Sequence, residues 1–258
     1  LVTNVYRARP AEPRSTLIPS PHVVLITGGT SGIGLGLAEA FLAEGAVVAV
    51  CGRSQSALDR FAREHPEALA IRADITDGAA RAAMLDAVTD RFGRLDVLVN
   101  NAGIMVDRDF AAGPDATRDL DAEIAVNLTA PVHLTGEALR RWPGLDAVVF
   151  VTSGFALVSP TRAPTYGAAK AGLHGFAEGL RRQFAPDGTH VLEVIPPTTD
   201  TPMNADKTVR KLPASAVAAA TLRALDKRRP MALPGASRLL PGMLRLAPNL
   251  MGRAVGKL

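Results

Sequence analysis

The stretch His22-Val23-Val24-Leu25-Ile26-Thr27-Gly28-Gly29-Thr30-Ser31-Gly32-Ile33-Gly34 decides how this chain folds. Its first half is apolar almost without a break and rich in β-branched residues, the composition of a short strand buried on both faces. Its second half is a turn rich in residues without Cβ, and a helix predicted over Gly32 to Glu44 follows directly. A turn this tight lets backbone N–H groups and the positive end of the helix approach a pyrophosphate. Glycine triplets alone are weak signals, because such turns also merely connect elements. The position between a first strand and a first helix is what points to a dinucleotide cradle.

Outward from this stretch, apolar segments rich in Val, Ile and Leu recur at Ala46 to Cys51, Leu69 to Ala73, Asp96 to Asn100, Asp146 to Thr152 and His190 to Pro196. A short seventh strand is predicted at Met231 to Leu233. Helices are predicted over Gln55 to Glu64, Gly78 to Phe92, Ala116 to Arg141, Tyr166 to Phe184 and, opened by Pro213, Ala214 to Lys227. Buried strands alternating with crossover helices predict an α/β fold of the Rossmann type, a doubly wound parallel sheet of about seven strands in one domain. That domain is expected over residues 22–235, with a substrate loop at 197–213, an extension at 1–21 and a basic apolar tail at 236–258.

The 258 residues are 47% hydrophobic and 21% charged, enough apolar material for a sizeable core and too little charge for a disordered chain. A pI near 9.6 ordinarily suggests a polyanionic partner, but the charge is unevenly placed. Residues 1–22 hold three Arg against one Glu (+2), residues 23–226 hold 19 basic against 24 acidic residues (−5), and residues 227–258 hold seven Lys or Arg and no acid (+7). An acidic body with 4% aromatics offers no stripe for nucleic acid, so no such partner is expected. Cys51 is the only cysteine, which excludes an intrachain disulfide and predicts a reducing, cytoplasmic setting. The five histidines lack the spacing of a metal cage, and no metal is expected. No run reaches the roughly 20 apolar residues of a membrane-spanning helix, and Arg and Pro interrupt residues 1–21 where a signal peptide would be apolar. Because the chain opens on Leu1 rather than Met, a natural start upstream is expected.

The spacing Thr27-Gly28-x-x-x-Gly32-x-Gly34 resembles the short-chain dehydrogenase/reductase family rather than folds with a tighter Gly-x-Gly-x-x-Gly. Asn100-Asn101-Ala102-Gly103 resembles the family's NNAG motif, and Asp74-Ile75 the pair that meets the adenine ring. Tyr166 and Lys170, four apart on one helix face, match its Asn-Ser-Tyr-Lys tetrad together with Ser153 and Asn127. The resemblance spans about Val23 to Met203. It implies that Asn127, Ser153, Tyr166 and Lys170 are catalytic. It further implies cofactor contacts from Gly28, Thr30, Ser31, Gly32, Ile33, Gly34, Asp74, Ile75, Asn101, Ala102, Gly103, Tyr166, Lys170, Pro196 and Thr201, with Thr201 reaching the nicotinamide amide. Asn127 is implied to interrupt its helix and hold a water that links Lys170 to solvent. A homodimer or homotetramer built on the helices of Asn127 and Tyr166 is also implied.

The chemistry can be argued beside the resemblance. Hydride transfer to a ketone builds negative charge on its oxygen, which needs a hydrogen-bond donor, Ser153, and then a proton. A phenol ionises near pH 10, so Lys170 and the nicotinamide's positive charge are together expected to draw the Tyr166 phenol down. After the second strand come Gly52 and Arg53, with no carboxylate for an adenosine ribose. Arg53 offers a fork of donors to a 2′-phosphate, which predicts NADP(H) in preference to NAD(H).

On the substrate side, Pro196-Pro197 stands where the family has Pro-Gly, a departure that looks like its DltE-like subset. An apolar rim of Ile104, Met105, Phe155, Val158, Pro164, Pro197 and Met203 predicts a small hydrophobic ketone or secondary alcohol. The polar segment Asn204 to Leu212 reads as a lid. For the tail, closing over the pocket, a subunit contact and a membrane surface all stay open. Pro241 and Pro248 interrupt a long amphipathic helix and favour packing against the chain's own fold or a twin subunit over membrane contact. The expected activity is that of an NADPH-dependent ketoreductase. An alcohol dehydrogenase working oxidatively shares every residue named, and a cofactor-binding scaffold or redox sensor would need the glycine turn but not the acid–base pair.

Overall fold

Every residue of β1 (Val23–Thr27) is buried, and the strand lies inside a parallel sheet with a neighbour on each side. The protein is described here by a computed structural model over residues 22–111 and 113–255, so the expected extension at 1–21 lies outside the described residues. The sheet has seven strands: β1, β2 (Val47–Gly52), β3 (Leu69–Arg72), β4 (Val97–Asn100), β5 (Ala147–Val151), β6 (His190–Val194) and β7 (Met231–Ala232). Their order is β3-β2-β1-β4-β5-β6-β7. Alternate side chains of one strand point to opposite faces, and both faces are covered. Leu25, Ala49, Leu98 and Phe150 meet α3 (Gly78–Phe92), α5 (Ala130–Arg141) and α6 (Pro164–Phe184), while Val24, Ile26, Val48 and Val99 meet α1 (Gly32–Ala43), α2 (Gln55–Glu64) and α7 (Ala214–Asp226). Strands apolar on both faces are therefore what the unbroken Val and Ile runs encode.

The order reverses between β1 and β4, because β1 pairs with β2 on one side and β4 on the other. Adjacent crossovers leave opposite faces there and open a crevice beyond the strand ends. The glycine turn and Asn101 both lie at that crevice.

The helix predicted over Ala116 to Arg141 is not one helix. A short 3-10 turn at Pro114–Thr117 comes first, Asp119 then takes φ 57°, and α4 (Leu120–Ile124) runs through a π turn at Ala125–Thr129 into α5. Pro131 explains the π turn: it has no N–H to give to the carbonyl of Asn127, four residues back. After β7, a 3-10 turn at Gly235–Leu239 leads to α8 (Leu240–Leu246) and α9 (Pro248–Val255). Pro241 sits at the start of α8 and Pro248 opens α9, so the two prolines divide the tail into two short helices.

Candidate active site

The turn between β1 and α1 is held from three sides. Cys51 O of β2 accepts from Gly28 N at 2.9 Å and Gly29 N at 3.3 Å. The Asn101 amide donates to Thr27 O at 2.9 Å and Gly28 O at 3.2 Å, and the Thr27 hydroxyl accepts from Asn101 N and Ala102 N. Gly32 has φ +54°, and a Cβ on Gly34 would stand 2.2 Å from Gly28 O, so neither position admits a side chain. Ser31 precedes α1 without a side-chain cap, which leaves the first N–H groups of that helix turned to the crevice without a protein side chain to receive them.

Gly52 and Arg53 lie beside this turn, with Arg53 exposed at the rim of the same cavity. Hydrogen bonds from the Thr76 backbone and hydroxyl, at 2.9 and 2.8 Å, hold the Asp74 carboxyl below its ordinary value, and Arg53 adds to the effect. Cys51 is buried and its thiol is pushed up to about 12, so it is an unreactive wall residue.

Asn127 is fully buried in the π turn. Its amide donates to Ile104 O at 2.7 Å and accepts from Ile104 N at 3.1 Å, clamping the segment that follows the NNAG motif. Tyr166 and Lys170 lie on the buried side of α6, and the Lys170 ammonium donates to Val151 O at 3.0 Å and stands 5.8 Å from the centroid of the Tyr166 ring. The Ser153 hydroxyl accepts from Phe155 N at 3.1 Å and is hydrogen-bonded to Tyr166. Ser153, Tyr166 and Lys170 thus meet at the end of β5, beside the Ile104 segment that Asn127 clamps.

The electrostatics differ from the expectation that Lys170 draws the phenol down. Burial pushes Tyr166 up to about 12, with Ser153 working against it and the buried Glu123 carboxylate reinforcing it. Burial also brings Lys170 down to about 8, from an ordinary 10.5. Between these two values the folded chain binds fewer protons than the unfolded one, so stability rises with pH across that window. Tyr166 acts in the opposite sense only above pH 10, where the unfolded phenol ionises and the folded one does not. Lys170→Met is expected to remove that rise and to add about 1 to 3 kcal/mol of stability at neutral pH while losing activity. Thermal unfolding across pH checks this, and a less stable variant at neutral pH would contradict it.

One cavity of about 720 Å³ takes in the turn, Arg53, Asp74, Ser153, Tyr166 and Lys170, and continues past Phe155, Pro197 and Met203. Val158 and Pro164, expected on the rim, do not line it: the 3-10 turn at Gly154–Ala156 carries the chain away, and Pro164 is spent on opening α6. The segment read as a lid is tied at both ends. Thr199 bridges to Leu212, and the Asn204 amide donates to Thr199 O at 3.0 Å.

The remaining wall comes from residues that sequence reasoning did not assign. Ser237, Leu240, Met243, Met251 and Val255 of the tail close the cavity, and the buried Ser237 hydroxyl has no hydrogen-bond partner among the described residues. Behind the site, Glu123 accepts from Arg108 Nε at 3.1 Å, Val106 N at 3.1 Å and the Thr165 hydroxyl at 2.5 Å. A second buried carboxylate, Glu193 of β6, accepts from the Thr152 hydroxyl at 2.6 Å and pairs with His174 at 2.8 Å. An acid inside the apolar run HVLEVIP was the one visible signal of that pair.

A profile of the short chain dehydrogenase family matches residues 22–211. Over 186 residues the chain is 39% identical to the uncharacterized oxidoreductase DltE of Bacillus subtilis (strain 168), covering 71% of this chain and 73% of that one. Among solved structures, an actinorhodin polyketide ketoreductase variant with NADPH superposes with TM-score 0.73 and 28% identity over 80% of this chain and 90% of that one. The 3-ketoacyl-(acyl-carrier-protein) reductase from Brucella melitensis, complexed with NADH, does so with TM-score 0.72 and 28% identity over 79% and 90%. With this sheet order and this profile match, the chain belongs to the short-chain dehydrogenase/reductase family of oxidoreductases, enzymes that act on CH–OH and C=O groups.

Proposed function

We propose that the protein is an NADPH-dependent ketoreductase acting on a hydrophobic ketone. The observation that carries this reading is the convergence of Ser153, Tyr166 and Lys170 on the cavity whose other end is the uncapped start of α1 with Arg53. NADPH, when bound, supplies the hydride. The α1 N-terminus would hold its pyrophosphate, Arg53 its 2′-phosphate, and Lys170 its nicotinamide ribose. Ser153 would hold the ketone oxygen, and Tyr166 would give its proton as the alkoxide forms. A phenol held protonated at neutral pH is the form that reduction needs, and an alkoxide is basic enough to take that proton. The apolar walls of Ile104, Met105, Phe155 and Met203 suit a hydrophobic substrate.

The named relatives hold NADPH in one case and NADH in the other, so the preference rests on Gly52 and Arg53. A Cβ on Gly52 meets only Thr30 Oγ1 at 3.4 Å, an ordinary contact, and an acid fits there. Gly52→Asp is expected to shift the ratio of kcat/KM from NADPH toward NADH by about ten- to hundredfold, through repulsion of the 2′-phosphate. An unchanged ratio would count against Arg53 as the phosphate partner.

The reaction itself is tested with NADPH deuterated at the transferable position and an aryl alkyl ketone. The expected alcohol carries one deuterium on its carbinol carbon. Alcohol without the label, or no alcohol from any hydrophobic ketone, would overturn the proposal.

A further inference from the structure

The tail has two faces with different tasks. Leu240, Met251 and Val255 turn inward and close the cavity. On the outer side Leu246 is 86% exposed and Leu250 62%, and at the cavity edge Leu239 is 59% exposed, a density of protruding aliphatic side chains that a solvent-facing surface does not need. Across the cavity mouth the other rim presents Met203, 40% exposed, and the segment that follows it carries Val209, also 40% exposed. Apolar side chains therefore stand on both sides of the opening.

Both rims are also basic. Arg238 and Arg245 are exposed among the tail's leucines, and residues 236–258 carry four Lys or Arg with no acid. In residues 202–212 three bases meet one acid, Asp206, which Lys207 pairs at 2.7 Å. The rest of the chain is net acidic. The two segments that border the cavity mouth are thus both apolar and positively charged. An anionic surface attracts them, which orients the opening toward it.

We infer that this collar docks on an anionic lipid surface, with the cavity mouth facing the bilayer. Short, protruding Leu side chains bordered by arginines fit the boundary between acyl chains and anionic headgroups. A second copy fits less well: a twofold contact would set two tails with no acid against each other. No helix among the described residues is long and apolar enough to cross a membrane, so the contact is with the surface.

The test is co-sedimentation of the full chain with vesicles of phosphatidylcholine alone or mixed with phosphatidylglycerol. Binding is expected only with phosphatidylglycerol present, with release at high salt. Leu246 and Leu250 do not line the cavity. Leu246→Glu with Leu250→Glu is expected to weaken vesicle binding at least about tenfold, and Arg245→Glu by about fivefold. Thermal unfolding and turnover of a soluble ketone should stay unchanged in these variants. Absence of binding to phosphatidylglycerol vesicles, equal binding to neutral ones, or undiminished binding by the leucine variant would overturn the inference. A loss of oligomeric mass in the leucine variant would overturn it too, by assigning the face to a second copy. Sedimentation reads no turnover, so its outcome is separate from that of the reductase reading.

Discussion

Tyr166→Phe is expected to fold and to bind NADPH as the parent does, yet to lose ketone reduction by at least about three orders of magnitude in kcat. The ring is buried and packs edge-on against Phe155, with centroids 6.4 Å apart, and Phe preserves that contact. What disappears is the hydroxyl beside Ser153, the group proposed to give its proton to the forming alkoxide. Because burial already holds that group protonated, its removal leaves no carboxylate or ammonium stranded, and the melting temperature should move little. KM for NADPH should also hold, since the α1 N-terminus and Arg53 are untouched. Steady-state kinetics and cofactor titration check these outcomes together. Reduction at near parental rates would remove Tyr166 from the mechanism.

Arg108→Met is expected to cost about 3 to 5 kcal/mol of stability, the largest effect on folding among the changes considered. Arg108 and Glu123 have side chains only 2% and 0% exposed, and Arg108 also donates to Ala116 O at 2.9 Å and Arg118 O at 2.5 Å. Removing the guanidinium leaves Glu123 charged in the interior with no cation to answer it. At this chain length the loss corresponds to a melting temperature lower by about 6 to 10 °C. Pairing the change with Glu123→Gln should recover part of that loss, because the remaining amide is neutral. Activity should fall as well, since Glu123 positions Thr165 next to Tyr166. A single variant as stable as the parent would show that the pair is not what holds α4 against α6.

The glycine turn and the strands were legible because each is local: a buried parallel strand spells out its burial in consecutive Val and Ile, and the turn in missing side chains. The tetrad is spread from Asn127 to Lys170 and was named from the resemblance alone. The break between α4 and α5 is not spelled out in the apolar period, which runs on through Val126 and Leu128; only the resemblance implied that Asn127 interrupts its helix, and the π turn at Ala125–Thr129 is that interruption. The tail was readable as basic and apolar, but no local pattern says that Met251 and Val255 fold back onto the cavity. Arg108 and Glu123 meet across a non-helical segment, so no helical spacing announced them. The Tyr166 phenol ran against expectation for a related reason. Spacing places Lys170 nearby, while burial, which spacing does not report, sets the direction.

The central claim is most directly tested by following NADPH consumption by the purified full chain against aromatic, steroid-like and acyl-chain ketones, with NADH run in parallel. The expected result is consumption of NADPH matched mole for mole by alcohol with at least one of them, and much slower consumption of NADH. Tight NADPH binding without turnover of any ketone would contradict the account and leave a cofactor-binding scaffold in its place.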